Sequence, residues 1–156
     1  MTSLKLIRHA PGAPGMRLLG LGPYMMPTRG LHKLKRLLDK HAFWAGNRDY
    51  QNLRILLAKS NVVISLWSKY RLVGFGRATS DGVFRAVLWD IVVAGDLQGK
   101  GLGSQVVKAL LSAPELKKVE RIYLMTTNSK EFYEQIGFKN SNDQTLMIKL
   151  NQVNNN

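Results

Sequence analysis

The 156-residue chain has no cysteine. That absence excludes a disulfide framework, a thiolate zinc site and a cysteine nucleophile together. Histidine is scarce, and His9, His32 and His41 lack metal-site spacing such as H-E-x-x-H, so no metal is expected. No apolar run approaches the roughly 18 residues of a membrane-spanning helix, so no membrane span is expected. Lys5, Arg8 and His9 interrupt the apolar stretch at the N-terminus, which leaves no signal-peptide pattern and makes a cytoplasmic location the expectation. Acid is short as well. The first 38 residues contain no Asp or Glu.

What is present fits an ordinary soluble domain: 45% hydrophobic and 21% charged residues in 17.5 kDa. A chain of this length buries roughly 70% of its unfolded surface and needs no covalent staples. The net charge is +13, and its distribution says more than its total. Residues 1–77 hold 14 Lys and Arg against two acids, Asp39 and Asp49, whereas residues 78–156 hold 9 against 8. The plain reading is a solvated face. Like charges so concentrated repel one another, which favours an acidic partner: RNA, a ribosome surface, a membrane surface or an anionic cofactor. Arg29, Lys33, Lys35, Arg36 and Lys40 form the densest cluster.

Residues 1–30 read as a basic, Gly/Pro-rich arm with room for one short strand near Met16–Leu19. Residues 31–150 read as a single domain, and 151–156 as a flexible tail. Leu31, Leu34 and Leu38 recur at helical spacing, which predicts a helix from Leu31 to His41. A second helix is expected over Asp49–Ser60. Strands follow over Asn61–Trp67 and Leu72–Ala78, then a hairpin at Asp81-Gly82 and a long strand over Val83–Val93. The pattern continues with a helix over Leu102–Leu111, a strand over Arg121–Met125, a short helix over Lys130–Ile136 and a last strand over Thr145–Leu150. Helices, an antiparallel meander and then β-α-β define an α/β sandwich around a mixed sheet.

The sharpest motif is Gln98-Gly99-Lys100-Gly101-Leu102-Gly103, directly after a strand and opening a helix. Glycines there let backbone N–H groups approach an anion, and the helix start adds its positive dipole end. A phosphate or pyrophosphate is the natural ligand; a ligand-free glycine turn is the alternative. A Walker loop is excluded because its G-x-x-x-x-G-K spacing is absent, and the dinucleotide fingerprint because G-x-G-x-G stands in place of G-x-G-x-x-G. What remains is [QR]-x-x-G-x-[GA] after a long strand, with Phe132-Tyr133-Glu134-Gln135-Ile136-Gly137-Phe138 downstream. Those two signatures, in that order, resemble the GNAT superfamily of acyl-CoA-dependent N-acetyltransferases. The string from Gly74 to Gly103, with R-A-T-S-D, W-D-x-x-V and Q-G-x-G-L-G, is similar to its plastid and cyanobacterial subgroup. The resemblance covers about residues 45–150.

The resemblance implies an α/β fold with a mixed, mostly antiparallel sheet, a splayed parallel strand pair and helices on both faces. It implies acetyl-CoA as co-substrate and direct attack of an amine on the thioester. Ile91 and Val93 would offer backbone groups to the pantetheine arm. Gln98, Gly99, Gly101, Leu102, Gly103 and Ser104 would surround the pyrophosphate, with Lys100 adding charge or standing solvated. Tyr133 would protonate or stabilise the leaving thiolate, with packing on the sheet as its alternative. Asp90, mid-strand, is the candidate base, equally readable as a structural acceptor of backbone N–H groups; Asp81 is second, although its hairpin already explains it. Trp67 and Trp89 would line a pocket or belong to the core. Asn128 lies five residues before Tyr133 where the family spacing is about seven, and Ala94-Gly95-Asp96-Leu97 replaces the usual D-P, so Asn128 is a departure from the pattern of cofactor contacts.

The lack of a strong base bears on the acceptor. About a tenth of α-amines are neutral at pH 7, and neutralising a lysine costs about 3.5 kcal/mol more. Protein N-termini are therefore the expected acceptors, with lysine ε-amines as an extension and small arylalkylamines (serotonin-type) as the alternative. Docking on the ribosome or its RNA through the basic N-terminal half is compatible with either protein substrate.

Overall fold

The computed structural model describes residues 3–152. Residues 1–2 of the expected arm and 153–156 of the expected tail lie outside the described residues. The chain divides into two compact units, one through Met125 and one from Thr126.

The first unit is built on a five-stranded sheet in the order β1 (Leu4–Arg8), β2 (Val62–Ser68), β3 (Arg71–Ser80), β4 (Arg85–Val93), β5 (Arg121–Tyr123). The first four strands pair antiparallel, and β4 pairs parallel with β5. The alternation of each strand sorts side chains to two faces. Gly74 and Gly76 of β3 face helix α4 (Leu102–Leu111), and a Cβ on Gly76 would stand 2.8 Å from Val106 and 3.0 Å from Leu110. Only a bare backbone lets that helix lie so close. The opposite face carries Trp67, whose ring lies under Lys33 of α2 (Gly30–His41), which in turn packs against α3 (Tyr50–Ala58). Leu34, Leu38, Leu53, Leu57, Trp67 and Phe75 are fully buried, each stabilising the fold by about 1.5–3 kcal/mol.

Local signals explain the helix limits. Asp49 caps α3, its carboxylate accepting the Asn52 N–H at 2.7 Å. Asp81 accepts three backbone N–H groups, from Val83, Phe84 and Arg85, which closes the β3–β4 hairpin and holds its carboxyl below the usual range.

Two expectations fail. Met16–Leu19 is not a strand: Pro14–Leu19 forms helix α1, with Pro at its first turn and left-handed Gly20 ending it. The arm does supply a strand, but it is β1, paired with β2 along its whole length. Arg8 ties it down by donating to the Ala109 carbonyl and the Ser112 hydroxyl at the end of α4. The last expected strand, Thr145–Leu150, does not form; no strand pairs with it among the described residues, and Leu146, Met147, Ile148 and Leu150 are exposed. An apolar run without a partner edge leaves its backbone groups to solvent.

The second unit holds helix α5 (Lys130–Ile136). Gly137, at φ 108°, ends it and turns Phe138 back onto Tyr133, ring centroids 5.9 Å apart.

Candidate active site

The site begins where β4 loses a neighbour. Parallel pairing joins Arg85–Val87 to Arg121–Tyr123 and then stops, while β4 continues to Val93 with no strand on that side among the described residues. About 20 Å of strand edge is left with unpaired N–H and C=O groups. Ile91 and Val93 lie on this stretch, both half-buried. The Gln98 amide donates to the Val93 carbonyl at 3.2 Å, so the side chain expected at a pyrophosphate also braces the end of the strand.

A bulge bends the same stretch. Arg77 pairs with Trp89 and Phe75 with Val92, so Asp90 and Ile91 together oppose Gly76. Asp90 takes the strain, at φ 54°. Its side chain is 4% exposed, and its Oδ2 accepts Arg77 Nε at 2.7 Å and Arg48 Nη1 at 3.1 Å. Two guanidiniums thus hold one of its two carboxylate oxygens, a structural role like the alternative expected for it, with arginine side chains as donors in place of backbone N–H groups. Arg77 also lies 5.7 Å from the Trp89 ring, whose N–H donates to Thr79, while Trp67 is wholly buried and donates to Ser65. Arg48 carried no sequence signal and Arg77 only that of opening R-A-T-S-D; what makes them partners of Asp90 is a contact across 42 and 13 residues.

Beyond β4 the chain makes a short 3₁₀ turn, Gly95–Leu97, and enters the glycine loop. Gly99 and Gly101 are left-handed, φ 78° and 80°, and a Cβ on either would meet nothing within 4 Å. The open space beside them leaves room for an oxyanion to approach the backbone. Gly101 caps α4, and the Gln105 N–H makes a bond to the Gly101 carbonyl, so the N–H groups of Leu102, Gly103 and Ser104 precede the helix's own acceptors. Leu102 is buried, Gly103 and Ser104 are half-buried, and Lys100 is exposed. These residues fit the pyrophosphate of acetyl-CoA, and the open edge of β4 fits an extended arm.

Tyr133 and Asn128 belong to the second unit. Tyr133 is half-buried and edge-on to Phe132 and Phe138; burial pushes its phenol above the usual value, so it keeps its proton. Asn128 is exposed and lies next to the turn in which the Ser129 N–H donates to Thr126. No cluster of three metal-ligating side chains exists among the described residues, and no helix there is long and apolar enough to cross a membrane.

An opened parallel pair above a glycine-rich helix start defines a fold that binds an acyl carrier along a strand edge. Residues 31–138 match the Acetyltransferase (GNAT) family, and the chain belongs to it. It is 36% identical over 113 residues to an uncharacterized N-acetyltransferase, ycf52, of Pyropia yezoensis, covering 69% of this chain and 64% of that relative. It is 39% identical over 99 residues to serotonin N-acetyltransferase 2, chloroplastic, of Oryza sativa subsp. japonica, covering 58% of this chain and 48% of that one. The chain thus spans about half to two thirds of the length of these relatives. A GNAT family acetyltransferase structure from Streptococcus pneumoniae TIGR4 shares the fold, with a TM-score of 0.72, 20% identity and coverage of 97% of this chain and 100% of that chain.

Proposed function

We propose that the protein transfers the acetyl group of acetyl-CoA to the α-amine of protein N-termini. The observation that carries the choice of acceptor is Asp90: it is the one buried acid among the described residues, and its Oδ2 is held by two arginines. Such a site offers lysine only a carboxylate already ion-paired through Oδ2, and an α-amine needs about 3.5 kcal/mol less to be neutral. Acetyl-CoA supplies an activated acyl group. The chain supplies the holding: backbone N–H groups of Gly99–Ser104 for the pyrophosphate, the edge of β4 at Ile91 and Val93 for the arm, and the Tyr133 phenol as proton donor to the departing sulfur. Tyr133→Phe is expected to lower kcat about 100-fold and leave acetyl-CoA affinity unchanged.

Mass spectrometry of a mixed pool with acetyl-CoA tests the acceptor. The pool holds free-N-terminus peptides, N-blocked lysine peptides and one arylalkylamine. Acetyl groups on α-nitrogens are expected. Label confined to the arylalkylamine would overturn the proposal in favour of a small-amine acetyltransferase, the second reading, which the likeness to a relative named for serotonin supports.

The excess of 14 cationic residues over two acids in the first 77 residues supports docking near emerging chains, on ribosomal RNA. Co-sedimentation with ribosomes should then be present at about 50 mM salt and lost steeply by about 200 mM. None at the lower salt would end that reading.

A further inference from the structure

The expected basic cluster does not act as one patch. Lys35 turns to Asp39, 2.8 Å away on the same helix. Lys33, Arg36 and Lys40 follow i, i+3, i+7 spacing along another face of α2. With His41, Arg71 and Ala94 they line a hollow of about 190 Å³ between that helix and the start of β3.

Its polar walls offer donors. Arg36 and Lys40 are exposed and make no side-chain hydrogen bond or ion pair among the described residues. Lys33 donates to the Tyr70 carbonyl, and burial together with the charge of Arg29 lowers its pKa. His41 Nδ1 accepts the Gly95 N–H at 3.1 Å, which leaves Nε2 as a donor. The acid at hand is Asp96, held by Arg71 in a two-bond fork of 2.6 and 2.9 Å and drawn down to about 2 by that arginine. Converging cationic donors call for a ligand with several anionic oxygens. No Phe, Tyr or Trp lines the hollow. A space of this volume holds about six waters, or a diphosphate-sized group.

The hollow is also tied to the glycine loop. Arg71 grips Asp96 and His41 grips Gly95, and both belong to the 3₁₀ turn that leads into Gln98. An oxyanion at Arg71 competes with Asp96 for the guanidinium.

We propose that this hollow is a second anion site, taking the phosphate groups of a phosphate-bearing ligand, and that its occupancy alters acetyl-CoA binding through the Gly95–Leu97 turn. The coupling rests on the acetyl-CoA reading; the site itself does not.

The test is titration of the full chain with inorganic pyrophosphate, by calorimetry and by NMR of the His41 ring, with the glycine loop first saturated with CoA. One equivalent should bind, and R36E/K40E should weaken it about tenfold while the charge-neutral R36Q/K40Q weakens it less. Both residues are exposed, so thermal unfolding of R36Q/K40Q should match the parent, and that of R36E/K40E should fall only by the small cost of an acid in the last turn of α2. Binding that R36E/K40E leaves unchanged, or no binding at all, overturns the site. A decameric oligoribonucleotide without terminal phosphates separates the sources. Tighter oligonucleotide binding, lost in R36E/K40E, assigns the site to an RNA backbone; pyrophosphate binding alone assigns it to a free phosphorylated ligand. In the parent, pyrophosphate should change acetyl-CoA affinity by more than it does in R36E/K40E. An equal change in both is competition at the glycine loop and overturns the coupling. If CoA itself fails to bind, the acetyl-CoA reading falls, and pyrophosphate titrated alone still decides the hollow.

Discussion

The glycine loop and the hollow beside α2 meet negative charge by opposite means. The loop offers backbone N–H groups, fixed by left-handed glycines and a helix start; the hollow offers side chains, of which Arg36 and Lys40 make no side-chain bond among the described residues while Lys33, His41 and Arg71 are tethered. A backbone-built site is changed only by acting on the φ angles that shape it. A site built from side chains can have its net charge cancelled by two substitutions. The same division runs through the rest of the first unit, where the β4 bulge has its shape from φ angles but is held in place by an ion cluster.

Asp90→Ala breaks that dependence most severely. It leaves Arg77, 13% exposed, beside a vacated carboxylate and puts Ala at φ 54°. Urea unfolding should show a loss of about 4 kcal/mol. Asp90→Asn, which keeps an acceptor and tolerates the φ, should lose less.

Acid probes another side-chain contact. His9 Nε2 lies 2.7 Å from the Ser65 hydroxyl, and burial lowers its pKa to about 4. The folded protein keeps the ring neutral while the unfolded chain binds a proton below about 6.5. Stability from this group is therefore fully present above pH 6.5 and falls as the pH drops toward 4, by up to about 3 kcal/mol. His9→Asn should flatten that part of a urea-unfolding pH profile.

Gly101→Val tests the backbone side. Open space surrounds that position, so the cost is conformational: about 1–2 kcal/mol for a side chain at φ 80°. Acetyl-CoA affinity should fall about tenfold by calorimetry, with unchanged circular dichroism. Lys35→Ala should do least. Its exposed pair with Asp39 contributes about 0.5 kcal/mol or less, and it lies outside the hollow, so neither stability nor pyrophosphate affinity should move measurably.

The parts legible in the sequence were those governed by local rules. The start of α4 and the end of α5 follow from Gly101 and Gly137, and the β3–β4 hairpin from Asp81-Gly82. The glycine loop was legible because three glycines in five positions have a steric meaning by themselves. In the arm, Pro14 and Gly20 are a helix start and stop whose meaning is masked by the other glycines and prolines around them. β1 was missed because its pairing depends on an edge that forms some 60 residues later. The partners of Asp90 and the walls of the hollow were hidden for the same reason: Arg48, Arg77, His41 and Arg71 are scattered along the chain and meet only when the sheet and α2 assemble.

The grip of Arg8 on the end of α4 sets an order of events during synthesis. Ala109, whose carbonyl it holds, is made 101 residues after it. At elongation rates of about 5–20 residues per second, roughly 5–20 s separate the two. Until Ala109 is made, the strand synthesised first is held by its pairing with β2 and lacks this clasp on the outer edge of the sheet.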